Sequence, residues 1–416
     1  MFERIFVPAE FREALSDRAW LQAMLDAERA LAAAEGRAGV IPGDAAEAIA
    51  AAARADRFDA AEIGEQGQAP GNPVEPLVRA LTEAVEGEAS RFVHWGATSQ
   101  DILDTATMLV ARNVLDLILG RVDQVAAECA ALAEAHRETP MAARTLLQQA
   151  VPTTFGLKAA GWLVALLEVR RGLLRARENL AAQLGGAAGT LAPLGDAGAE
   201  VARLFAEELG LQEPLAPWHT NRVRIAELGA PLAITAGALA KIGLDVALLA
   251  QTEVGEVAEA EGGISSTMPQ KRNPVGSALA IACGRQVEGH ASVLIAALRQ
   301  EHERALGGWH SEWPALSGAL AYTGGAAEAA RRALDGLEVD AERMRSNLEH
   351  AGGAVMAERA SFVLAEQIGR REAHERVAEA LATGEGLPDD LDPASYLGSA
   401  GEFVDRALAA YRSELG

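Results

Sequence analysis

Between Gln100 and His136 the chain has no proline and a single glycine, Gly120. Those two residues are the ones that end or weaken helices. The stretch therefore predicts one uninterrupted helix more than ~50 Å long, at ~1.5 Å rise per residue. A helix of that length in a soluble protein needs packing partners along its whole run. Residues 155–184, 220–260 and 274–306 are further long candidates, and the economical way to bury them together is an antiparallel bundle. Composition agrees: half the residues are hydrophobic but only 4% are aromatic, so the core must be built from Ala, Leu and Val. Ala and Leu are also the best apolar helix formers.

Outside this middle the elements are shorter. Ser16-Asp17 reads as a helix start, followed by apolar residues at three- and four-residue spacing up to Gly36 and Gly39. A second helix runs from about Asp44 to Arg54, and residues 64–76, rich in Gly, Pro and Gln, read as loop. A last amphipathic helix spans 401–415, and no alternating strand pattern of useful length is present. The expected fold is all-α, with an N-terminal helical domain (1–97), a central long-helix bundle (98–340) and a small C-terminal helical domain (341–416). Residues 228–250 are apolar on every face, which predicts burial by other subunits as well. Lys241 and Asp245 within them favour a bundle helix over a membrane span.

A formal net charge of −22 argues against nucleic acid or an anionic membrane as partners. Residues 1–8 lack the apolar core of a signal peptide, so a cytoplasmic location is expected. Cys129 and Cys283 stand alone in helical sequence, with neither metal-ligand nor disulfide spacing, and read as small buried apolar groups. Phosphate-loop, dinucleotide and nucleophile-elbow motifs are missing, and His302 and His310 do not have the spacing of a zinc helix. No metal and no cofactor are expected.

Four polar islands interrupt the helices. Residues 261–274, Glu-Gly-Gly-Ile-Ser-Ser-Thr-Met-Pro-Gln-Lys-Arg-Asn-Pro, place two serines, Lys271 and Asn273 in a loop that Pro269 and Pro274 keep from becoming helix. The chain has only three lysines, so Lys271 is not background. A serine acts as a base only where something lowers its pKa, and a nearby cation and a helix N-terminus both act in that direction. Given its glycines, this loop is also a candidate lid. Residues 92–105 hold His94 and a Thr98…Asp101 capping box before the long helix. A capping role and a carboxylate-binding role for that helix start are compatible. Residues 141–154 carry Arg144, Thr145, Gln148 and Gln149 in an apolar setting, where satisfying helix ends is as reasonable a role as binding. Residues 300–313 carry Arg304, and 217–222 carry His219 and Arg222, which read as structural.

Ser265-Ser-Thr-Met-Pro-Gln-Lys-Arg-Asn273 resembles the S-S-x-M-P-x-K-x-N signature of the fumarase/aspartase superfamily, and Thr98-Ser-Gln-Asp-Ile-Leu-Asp-Thr-Ala106 resembles its T-S-x-D-x-x-D-T-A block. The order and separation of the blocks fit, and the resemblance spans essentially the whole chain. It implies a three-domain helical fold and a homotetramer whose active sites are shared between subunits. It also implies that Ser266 is the base beside a substrate carboxylate. Lys271 and Asn273, and Thr98 and Ser99, would then bind carboxylates. Residues 16–26, His94–Asp101, Pro217–Thr220, Glu301–Arg304 with Trp309-His310, and Asp392–Gly398 are similar to the 3-carboxy-cis,cis-muconate cycloisomerase branch. That branch closes a lactone in protocatechuate breakdown by the β-ketoadipate route. A small tricarboxylate substrate would give His94 (acid/base), Arg144, Thr145, Gln149 and Arg304 anionic groups to act on. Sister lyases carry a histidine after the Arg-Thr of the third block, where this chain has Leu146. The stretch before Asp392 is also short for the branch. Adenylosuccinate lyase or another fumarate-releasing member, and a catalytically retired structural homologue, are the rival readings.

Overall fold

The computed structural model describes residues 1–261, 263–264, 268, 271–350, 353–383, 387 and 392–416, with only the backbone of Ile264. The fold is helical, about 70% of it by residue. The four expected long helices are present over Ser99–Ala135, Phe155–Glu178, Val223–Leu249 and Val275–Ala296, and a fifth that the sequence reading did not single out spans Gly308–Leu334. Three end earlier than the sequence suggests. After Leu249 the chain turns, with Gly255 at φ +62°, and enters a two-residue strand, Val257–Ala258, paired antiparallel with Glu338–Val339.

Two compact units form, each from three chain segments: residues 1–120, 171–236 and 283–325, and residues 121–170, 237–282 and 326–416. Both boundaries of every middle segment fall inside long helices.

In the first unit the Asp17–Arg37 helix is the organiser. Ser16 caps it, its hydroxyl accepting from the Ala19 N–H, and Asp17 and Arg37 sit at the ends that suit their charges. Leu21, Met24, Leu25, Leu31 and Ala32 are buried at helical spacing, and two glutamates, Glu28 and Glu35, are buried with them. This helix packs on those of Gly43–Ala52 and Gly198–Leu209. The region read as loop at 64–76 is helical at both ends, over Ala60–Gln66 and Val74–Ala84. The Asn72 side chain accepts from the N–H groups of Val74 and Glu75 and starts the second of these helices.

In the second unit close packing depends on small residues. A Cβ on Gly243 would lie 2.9 Å from the Ser277 carbonyl oxygen, and one on Gly276 would lie 3.0 Å from that of Ala329. These helices touch backbone to backbone, which only glycine permits. Residues 141–154 supply the main departure from an all-helical reading. They form a β-hairpin, Pro140–Thr145 against Gln148–Thr154, with Leu146 and Leu147 as its two-residue turn.

Val223–Leu249 is long and apolar enough to cross a membrane by length and composition. One side of it, including Leu232, Ala236, Leu239, Ile242 and Val246, is buried in protein, while Ile234 and Leu244 are exposed. Cys129 and Cys283 are both buried free thiols, as their sequence context suggests. Burial raises both pKa values, that of Cys283 to about 12.

Candidate active site

The first unit brings together His94, Thr98, Ser99 and Arg304. Asp101 is the centre of this cluster. Its side chain completes half of the expected capping box, accepting from the Thr98 N–H at 3.0 Å. The same carboxylate also accepts from the N–H groups of Gly185 and Gly186, both at 2.9 Å, and lies 2.7 Å from His219 Nε2. One fully buried side chain thus ties the start of the long helix to two segments distant in sequence. Gly186 has φ +67°, and a Cβ there would lie 2.9 Å from the Gly96 carbonyl oxygen, so the turn needs glycine. At the helix start Asp101 satisfies the Thr98 N–H, and the hydroxyls of Thr98 and Ser99 make no hydrogen bond among the described residues. They stand at the positive end of a 37-residue helix, an arrangement that favours an anion.

One turn further on, Asp104 meets Arg222, which is 1% exposed. The guanidinium donates to both oxygens of Asp104, at 2.7 and 3.0 Å, and to both of Glu312, at 2.5 to 3.2 Å. Trp309 Nε1 also donates to Asp104, and Gln300 to Glu312. Burial opposes the charged form of Arg222, but the two carboxylates more than offset it and hold its pKa above the ordinary value. With all its donors engaged, Arg222 is a framework residue, as is His219. Arg304 is the accessible cation of this group: its Nε donates to Gln100 at 3.1 Å and the residue is exposed.

His94 sits at φ +59°, a left-handed backbone that side chains other than glycine seldom adopt. Its Nδ1 lies 2.6 Å from Oε1 of the buried Glu28. Burial alone lowers the imidazole pKa, but the charge and hydrogen bond of Glu28, with a smaller contribution from Asp101, outweigh it and leave the pKa raised.

The second unit holds Arg144, Thr145, Gln149, Lys271 and Asn273. Arg144, in the hairpin, makes a two-pronged ion pair with the fully buried Glu256, at 2.9 and 2.6 Å. Asn347 Nδ2 donates to the same carboxylate at 2.7 Å, and Gln149 Nε2 donates to the Asn347 carbonyl at 3.2 Å. Arg144 and Gln149 therefore fasten the hairpin, while Thr145 is exposed next to its tip. At the tip, Leu146 and Leu147 have φ +51° and +65° and are 97% and 76% exposed. Each pays roughly 1–2 kcal/mol for that backbone and hides no apolar surface within the chain.

The signature loop is closed at its base. Gly263-Ile264 pairs antiparallel with Arg272-Asn273, and a Cβ on Gly263 would meet Val275 at 2.4 Å. Arg272 bonds both oxygens of Glu338 and the Glu259 carbonyl. Glu259, from before the loop, caps the helix after it: it accepts from the N–H groups of Gly276 and Ser277, at 2.9 and 2.8 Å, and from the Ser277 hydroxyl at 2.6 Å. That helix start is therefore occupied by the protein's own carboxylate. Lys271 is exposed and Asn273 half-buried beside the loop. Ser266, and residues 262, 265, 267, 269 and 270 of the loop read as a lid, lie outside the described residues.

Sequence reasoning missed Glu28, Glu256, Glu259 and Asn347. A single glutamate in a helix or loop reads as solvated, and only the fold reveals that these are buried.

A family model described as a lyase matches residues 6–289. The chain belongs to this lyase family. The lyase is 45% identical over 430 residues to a 3-carboxy-cis,cis-muconate cycloisomerase of Bradyrhizobium diazoefficiens, covering 96% of this chain and 95% of that one. It is 46% identical over 432 residues to a nitrosuccinate lyase of Streptomyces davaonensis, covering 95% and 91%. Among solved structures, the crystal structure of the 3-carboxy-cis,cis-muconate lactonizing enzyme from Pseudomonas putida superposes with a TM-score of 0.93 at 43% identity over 99% of both chains. The helical fold expected from the sequence is that of this family.

Proposed function

We propose that this lyase is a 3-carboxy-cis,cis-muconate cycloisomerase that closes a carboxymuconolactone ring without a cofactor. The observation that carries the reading is its likeness to such enzymes over nearly the whole of both chains, in sequence and in fold. Leu146 agrees with it, standing where fumarate-releasing sister lyases resemble one another in having a histidine.

The reaction is an intramolecular addition. A carboxylate oxygen of the diene attacks an alkene carbon, the new C–O bond forms, and the π electrons move to the carbon beside a second carboxylate. Charge collects on that carboxylate as an enolate-like species, which Lys271 and Asn273 stabilise. Ser266 delivers the proton to the α-carbon, and removes it in the reverse direction. Thr98 and Ser99, at the positive end of their helix, hold another carboxylate, and His94 and Arg304 supply further positive charge. Arg144 and Gln149 serve the site by anchoring the hairpin that presents Thr145. Because the nucleophile belongs to the substrate, fixing its rotamer is itself a large part of catalysis.

The working form is a cytoplasmic homotetramer with sites shared between subunits. The exposed Ile234, Leu244 and Ile295 on the long helices support further burial of those faces. The three-domain division at residues 97 and 340 describes the same assembly.

Ultraviolet absorbance tests the reading: the purified protein should remove the conjugated-diene band of 3-carboxy-cis,cis-muconate with nothing added. Silence there, with turnover of adenylosuccinate or nitrosuccinate, would overturn it. Ser266→Ala should keep its oligomeric state and lose most of kcat, and normal turnover in that variant would remove Ser266 from the mechanism.

A further inference from the structure

We propose that Glu28 is the positioning residue for His94, fixing the ring with Nδ1–H toward Glu28 and keeping a cationic Nε2–H donor for the substrate's carboxylates. The proposal rests on the reading that His94 belongs to the active site.

Glu28 lies on the Asp17–Arg37 helix, 66 residues from its partner, and is 1% exposed. A carboxylate this deeply buried is costly unless paired. His94 is its one hydrogen-bond partner among the described residues, at 2.6 Å, and its other oxygen has none. The contact thus serves the carboxylate as much as the ring. On the histidine side the backbone is in the left-handed region, at φ +59°. Strain of that kind persists where the surrounding structure imposes it. The ring nitrogen away from Glu28 has no partner among the described residues. A histidine needed only to fill space has no use for a buried acid on one nitrogen and an open second nitrogen.

The charges around the ring all act in one direction. Glu28 faces it from the Asp17–Arg37 helix and Asp101 from the start of the long helix, with His219 on the far side of Asp101. Glu35, two turns along from Glu28, is the remaining acid of this helix face, and burial keeps it neutral at pH 7, its pKa raised to about 9. Glu28 therefore supplies the dominant negative charge. In a chain of net charge −22 a trianionic substrate meets general repulsion. A histidine held as imidazolium answers it locally, which a neutral one does not.

The test is a histidine titration by NMR with imidazole-labelled protein, in wild type, Glu28→Gln and Glu28→Asp, His94 being assigned from His94→Gln. The expected result is a wild-type His94 titrating above pH ~6.5, moved down by at least one unit in Glu28→Gln and largely restored in Glu28→Asp. The alkaline limb of kcat/KM, where the required imidazolium loses its proton, should follow the same shift, with KM changing more than kcat. An unmoved titration in a folded Glu28→Gln, or a shifted titration with an unchanged pH profile, would overturn the proposal. Where Glu28→Gln fails to fold, Glu28→Met, which fills the space without a charge or an acceptor, takes its place with the same expected shift. The titration needs no substrate, so a wild-type protein inactive on the muconate would refute the proposed reaction and leave this measurement standing.

Discussion

Glu35 offers the most direct test of the buried acids. It is 0% exposed, and neither carboxylate oxygen has a hydrogen-bond partner among the described residues. Burial, with the charge of Glu28 as a second cause, raises its pKa from 4.5 to about 9. The folded protein therefore holds a proton at pH 7 that the unfolded chain has released. The stability this group contributes is fully present below about pH 4.5 and is lost as pH rises through about 9. At ~1.4 kcal/mol per pH unit, the loss reaches roughly 3 kcal/mol by pH 7. Glu35→Gln replaces the group with a similar shape that never ionises. Urea unfolding, followed by tryptophan fluorescence at pH 5.5, 6.5 and 7.5, gives the free-energy difference between variant and wild type. That difference should move in the variant's favour by ~1.4 kcal/mol per pH unit. Any fixed cost of burying an amide displaces the line without changing its slope. A difference that stays flat across the range would mean that Glu35 is ionised in the fold, and the reasoning would be wrong.

Two further substitutions probe the frame of the site. Replacing Leu146-Leu147 by Asn-Gly, residues suited to positive φ in a two-residue hairpin turn, should raise the stability of the isolated subunit by about 1–2 kcal/mol. Equal or lower stability in the dilute subunit, read by urea unfolding, would show that the leucines contribute contacts within the chain. Asp101→Asn exchanges a carboxylate with four donors for an amide that brings its own N–H groups toward them. It should lower stability by about 2–4 kcal/mol and the thermal midpoint by several degrees, and a midpoint within one degree of wild type would contradict the role given to Asp101.

The long helices were legible because proline and glycine are so sparse in them. Their ends were less so: nothing local shows that Val223–Leu249 stops short of residue 260, where tertiary pairing with Glu338–Val339 takes over. The hairpin was missed for a physical reason. Its turn is Leu-Leu, which carries none of the Asn or Gly signal that marks positive φ. Residues 64–76 misled in the opposite sense, since their glycines and prolines mark a short turn between two helices. At the site, the capping pair Thr98 and Asp101 was readable from spacing, because a cap is local. The partners of Asp101, Arg144 and His94 were not, because each contact joins residues tens to hundreds of positions apart.

The Arg222 contacts also set an order of events during synthesis. Asp104 precedes Arg222 by 118 residues, but Glu312 follows it by 90. At ~5–20 residues per second, the ribosome delivers the second carboxylate roughly 5–20 s after the guanidinium. Throughout that interval the first unit lacks both the second ion partner of its most deeply buried arginine and the Gly308–Leu334 helix that carries that partner. A nascent chain of three hundred residues is thus long enough to have made most of its apolar surface and too short to close it. Chaperone engagement should be greatest on ribosomes paused just before Glu312 and should fall once the following helix has emerged.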